Sequence, residues 1–205
     1  MRKGKIVWYI LVGMNLVLLL LLGLQYGRNL RMQENIAEKV LRFHVLANSD
    51  SKEDQALKLA VRDAVGAEMS ETLAGAADRA SCEKLINANL DRITAAAERV
   101  VAEWGYDYTV EATLEEVDFP VKTYGDYTFP AGKYEALRVV IGAGEGHNWW
   151  CVMYPNMCFS GSVYEVVDEE AGEKLREVLS EEEYEDVLSS GDYEVRLKCL
   201  SFLRE

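Results

Sequence analysis

From Ile6 to Leu24 the chain is apolar at every position except Asn15, and no charge occurs between Lys5 and Arg28. The unbroken leucine run offers no polar face on which a half-buried helix could meet water. As a helix these residues rise roughly 28 Å, close to the hydrocarbon thickness of a bilayer. Arg2, Lys3 and Lys5 precede the run, and a basic start followed by apolar residues is the pattern of an export signal. Signal-peptide cores are shorter, about 7–15 residues, and end at a small-x-small cleavage site. Here the run ends Gly23-Leu-Gln-Tyr-Gly-Arg28, without such a site. Residues 1–27 therefore read as a signal anchor, with a cleaved signal peptide as the alternative. Arg28 and Arg31 give a weak cue to orientation, and the acidic chain behind them suits the outside.

The 205 residues suggest one domain or at most two small ones, with 49% hydrophobic residues to build a core. Net charge is -13. Setting aside Arg2, Lys3 and Lys5 leaves 19 basic residues against 35 acidic ones. Such a domain repels phosphates, so nucleic-acid binding is excluded as a function class. The same charge turns it away from anionic headgroups unless the apolar segment holds it there.

Residues 28–40 read as a stalk, polar with scattered Leu30, Ile36 and Val40, and residues 41–205 as an exported domain. Leu41, Phe43, Val45 and Ala47 alternate with Arg42, His44 and Leu46, the period of a strand. Asn48-Ser-Asp-Ser51 offers N-caps for a helix over 52–73, whose apolar positions recur at three- and four-residue spacing. A second helix is expected over 81–104, with Gly105 beyond its end. Alternation returns at 106–114 and 133–141, and an apolar strand is expected over 149–154. Gly125-Asp126 marks a hairpin-like turn. The acidic tail from Asp168 has helical spacing, with a capping box at Ser180-Glu-Glu-Glu183. Tyr193, Val195, Leu197 and Cys199 alternate like a closing strand. This order predicts an α+β fold: a membrane helix, then a mostly antiparallel sheet with two long helices on one face and an acidic C-terminal helix.

Two histidines in the whole chain limit catalytic schemes. His147 and Cys151 suggest a Cys–His hydrolase, but such pairs meet in space and sequential spacing is no guide. Ser49 with His44 is a second candidate, although helix capping accounts for the same serines. Gly142-x-Gly144-x-Gly146 lacks a lysine and carries Glu145, which excludes a phosphate loop. No spacing fits a zinc or calcium site. No catalytic set, cofactor, metal or small-molecule substrate is therefore expected. Cys151 and Cys158 flank the turn at Pro155-Asn156 and could form a disulfide in an exported domain, the alternative being two buried thiols. The aromatic set is the stronger signal. Trp149 and Trp150 are neighbours and on a strand point to opposite faces. If both faces are covered, both are core; otherwise one ring belongs to a binding surface. Trp149, Trp150, Tyr124, Tyr127, Phe129 and His147 are the candidate partner-binding residues.

Four separated motifs, Leu46-Ala-Asn-Ser-Asp-Ser51, Val61-Arg-Asp-Ala-Val65, Phe129-Pro-Ala-Gly-Lys-Tyr-Glu135 and Asn148-Trp-Trp-Cys151, occur in an order that resembles the stage II sporulation protein R family of endospore-forming bacteria. The resemblance covers about residues 41–160. It implies an exported signal, not an enzyme. Such a protein leaves the forespore for the intermembrane space, membrane-anchored or secreted. There it activates a membrane-embedded aspartic protease, the sporulation sigma-E processing peptidase, which then cuts pro-sigma-E.

Overall fold

The computed structural model describes residues 2–73, 75–155, 157 and 169–189. It is an α+β fold. Helix α1 spans Arg2–Ala37, followed by strand β1, Leu41–Leu46. Three helices come next: α2 (Lys52–Leu73), α3 (Arg79–Ala88) and α4 (Leu90–Glu103). Strands β2 (Val110–Phe119), β3 (Lys122–Tyr124), β4 (Tyr127–Phe129), β5 (Gly132–Ile141) and β6 (Asn148–Tyr154) precede helices α5 (Glu169–Val178) and α6 (Glu181–Ser189).

The main sheet has the order β2-β5-β1-β6. β2 pairs antiparallel with β5 and β6 antiparallel with β1, while β1 and β5 run parallel. The parallel pair follows from the connection, because α2–α4 and β2 intervene between the two strands and carry the chain back across the sheet. β3 and β4 form a separate hairpin around the expected Gly125-Asp126 turn.

Helices α2–α4 cover one face. Leu57, Val61, Val65, Met69, Ile86, Ile93 and Ala97 pack there on Phe43, Val45, Leu137, Val139 and Ile141. Ser51 caps α2, its hydroxyl accepting from the Asp54 amide at 3.0 Å. The single helix expected over 81–104 is two. Asn89 leaves helical geometry, and its side chain donates to the Leu85 carbonyl at 2.7 Å, closing α3 while its own carbonyl opens α4. Asn competes for the backbone in this way wherever the chain can bend.

The second face is covered too. The β3-β4 hairpin, α5 and α6 and the end of α1 enclose Ile36, Val40, Phe129, Tyr134, Leu175, Leu179 and Val187. The expected stalk is helical through Ala37, and its last turns are core. The capping box is formed, with Ser180 N donating to Glu183 Oε2 at 2.6 Å and Glu183 N to Ser180 Oγ at 3.4 Å. The closing strand expected at Tyr193–Cys199 and Cys158, the expected partner of Cys151, lie outside the described residues.

β1 is buried along its whole length, including Arg42 and His44. The apolar half of α1 is exposed throughout: Leu19, Leu20 and Leu24 each keep 60% or more of their surface. It is the one helix among the described residues long and apolar enough to cross a membrane.

Candidate functional site

β1 ends where three of the family-like motifs meet. Its C-terminal extension, Asn48–Ser51, is stitched to the loop before β6. Asn48 Oδ1 accepts from the Ala143 amide at 3.0 Å, and Gly146 N donates to the Ala47 carbonyl at 3.0 Å. Two glycines make this approach possible. Gly142 has φ +59°, and a Cβ there would stand 2.3 Å from Asn48 Oδ1; one on Gly146 would stand 2.2 Å from the Ser49 carbonyl. The Gly-rich segment is thus a docking loop.

Buried Asp54 organises the other side. It accepts from Asn48 Nδ2 at 2.9 Å and Ser49 Oγ at 2.5 Å. These bonds hold its carboxyl below the usual range, Ser49 first and Asn48 second. Buried Lys58 donates to the His147 carbonyl at 2.9 Å and to Gln55 Oε1 at 2.6 Å, and burial depresses its ammonium. Asp50 accepts from both the backbone N and Nδ1 of His147 at 2.5 Å. The His147 side chain remains 81% exposed.

The two tryptophans point to opposite faces of β6, as adjacent strand residues must. Trp149 faces the helices, edge-on to Phe43 at 5.3 Å, with the Arg62 guanidinium 5.2 Å from its ring. Trp150 faces the second layer, stacked on His44 at 3.8 Å and edge-on to Phe119 at 4.7 Å. Both rings are half-buried. Trp149 and His147 therefore adjoin Lys58 and Arg62 of α2 at one end of β6.

The other candidates lie elsewhere. Phe129 is fully buried. The Tyr124 hydroxyl accepts from Arg42 at 3.0 Å, and burial raises its pKa. The Tyr127 hydroxyl meets that of Tyr184 on α6 at 3.1 Å. Tyr124 and Phe129 help to enclose Arg42, which is 0% exposed. Its guanidinium carbon is 4.4 Å from the Phe119 ring, 4.9 Å from Tyr134, 5.1 Å from Phe129 and 5.8 Å from Tyr124. Nε donates to the Cys151 carbonyl at 2.9 Å, while Nη1 has no partner. Rings and two oxygens, rather than a carboxylate, hold this cation. Burial pulls its pKa down.

Beside it His44 is 3% exposed, and neither ring nitrogen has a hydrogen-bond partner. Burial pushes its pKa down to about 4. Neither residue announces itself in sequence, because Arg42 and His44 occupy the positions that alternation assigns to a solvent face. Asp54 and Lys58 were equally hidden within a charged helical stretch.

Ser49 gives its proton to Asp54, and that bond is the first cause of the Asp54 carboxyl lying below the usual range. His44 is enclosed against Trp150. Cys151 is disulfide-bonded and has no thiolate to offer, and Cys82 is a buried free thiol raised to about 11 by burial. Among the described residues no group of three or more His, Cys, Asp or Glu is arranged to hold a metal.

Residues 37–164 match the family model for Stage II sporulation protein R. The chain is also 34% identical over 171 residues to the Stage II sporulation protein R of Bacillus subtilis (strain 168), covering 79% of this chain and 76% of that protein. No solved structure matches. With motifs about 100 residues apart in sequence converging at the end of β6, this chain belongs to the stage II sporulation protein R family.

Proposed function

We propose that the protein is an intercompartmental signal of endospore formation. It is exported from the forespore into the intermembrane space and activates the membrane-embedded sigma-E processing peptidase, which then cuts pro-sigma-E. The observation that carries this reading is the family match across residues 37–164. Two features support it. The apolar half of α1 provides a route into or through a membrane. At the end of β6, half-buried aromatic rings, exposed His147 and the buried cations Lys58 and Arg62 lie together, the residue types from which interface hot spots are built.

The test is precursor processing in cells that co-express the protein, the peptidase and pro-sigma-E. Omitting the protein should leave pro-sigma-E uncut although it is still synthesised. Trp149→Ala or Trp150→Ala should reduce processing while a thermal melt still shows a folded domain. An interface tryptophan contributes about 2 kcal/mol or more, at least thirtyfold in affinity. Full processing by both tryptophan variants, with loss in a folded Ser49→Ala variant, would overturn the binding account and favour an enzyme.

A further inference from the structure

β2 is an edge strand of ten residues. It pairs with β5 in unbroken register from Val110↔Ile141 to Phe119↔Gly132, and no strand among the described residues lies on its outer side. Edge strands are commonly blunted by shortness, a bulge, a proline or charged side chains, lysine above all, and like charges on β2 would repel an acidic strand while leaving the edge open to a basic one. β2 is long, regular and free of proline, and every charged side chain on it is a carboxylate: Glu111, Glu115, Glu116 and Asp118, all exposed. A strand of this length presents about five outward backbone pairs.

The strand's C-terminal end borders a cleft of about 540 Å³. In register, Glu116 faces Glu135 and Asp118 faces Lys133, so these four side chains share one face of the sheet. Glu34 and Glu38 of α1 complete the cleft's acidic wall; of the bases present, Lys133 already pairs with Glu116 at 2.8 Å and Arg79 of α3 with Glu83 at 2.7 Å, which leaves Glu34, Glu38 and Asp118 among the cleft's carboxylates outside those pairs. Burial holds the Glu135 carboxyl above the usual range, with Glu83 and Glu116 adding to the effect and Arg79 opposing it.

We propose that the outer edge of β2, together with this acidic cleft, docks an extended polypeptide segment carrying lysine or arginine at alternate positions. The backbone of the segment would continue the sheet, as in β-augmentation, and its cations would face the carboxylates of β2, β5 and α1. A second copy of this acidic chain is repelled by the same residues. β2 and β6 are opposite edges of the sheet, so the site is separate from the tryptophans and does not depend on what they meet.

The test uses the full chain in detergent micelles and three ten-residue peptides: alternating Lys-Val, alternating Glu-Val, and Lys-Val methylated on alternate backbone nitrogens. The Lys-Val peptide should bind at least tenfold tighter than the other two and should slow amide exchange within Val110–Phe119. Glu34→Lys combined with Asp118→Lys, both exposed positions, should weaken it tenfold or more at an unchanged melting temperature. Equal binding of the methylated peptide would show simple charge attraction and overturn the proposal. So would absence of binding, protection confined to other strands, or an unchanged affinity in the folded charge-reversed variant.

Discussion

Arg42 is held without a carboxylate, so its energetics are separable from those of an ion pair. Removing it leaves a void among four rings and strands the Cys151 carbonyl. Arg42→Ala should cost about 3–4 kcal/mol, whereas Arg42→Met fills the volume without a buried charge and should stay within about 1 kcal/mol of the parent. Urea denaturation of the pair would decide it, and an alanine variant as stable as the parent would refute the packing account. His44 makes a pH prediction. Its folded value of about 4 lies below the ordinary 6.5. Between the two, the unfolded chain takes a proton that the folded one refuses. Stability should fall as pH drops from about 6.5 to about 4, by roughly 3 kcal/mol in all. Asp54 has the opposite origin, a depressed carboxyl, and its contribution disappears only below the ordinary carboxylate value. Comparing the parent with His44→Phe across pH 4–7 isolates the histidine, since the variant should lack that slope.

Among elements, α1 serves two environments. Leu24 ends the apolar run, and Met32 already packs on the second core. Eight residues of continuous helix put that packing about 12 Å beyond the apolar run. Ile36 and Val40 are fully buried, Gln33 donates to the Lys133 carbonyl at 3.2 Å, and Lys39 pairs with Glu183 at 2.5 Å. A fragment beginning at Arg28 should therefore melt like the whole domain, while one beginning at Leu41 should lose about 3–5 kcal/mol of apolar burial. Thermal melts of the two fragments check this. Equal stability would mean that the end of α1 only rests against the domain.

For the whole molecule, the anchor and the thiols give the predictions. With α1 in the membrane, the acidic domain should lie outside the cytoplasm, and protease added to protoplasts should digest it. A domain fully protected in intact protoplasts would count against export. Cys151 should be recovered linked to Cys158 when exported protein is mapped by mass spectrometry without reductant. Recovery of both as fully alkylated thiols would refute that bridge.

Local signals were strong where one residue sufficed to state the physics. The apolar run from Ile6, the Ser51 cap, the Gly125-Asp126 turn, the Ser180-Glu183 box and the opposed tryptophans all follow from backbone geometry and solvent preference within a few positions. What covers a strand is not local. β1 reads as half-exposed, yet β5 and β6 flank it and α2 and the β3-β4 hairpin cover its faces, so Arg42 and His44 are buried against their type. The use of the stalk as core and the meeting of Asn48 with Gly142 likewise needed partners from distant parts of the chain. Sequence determined which segments must leave water and with what period. Tertiary structure decided which polar groups went with them, because desolvation depends on every neighbour that closes around a side chain.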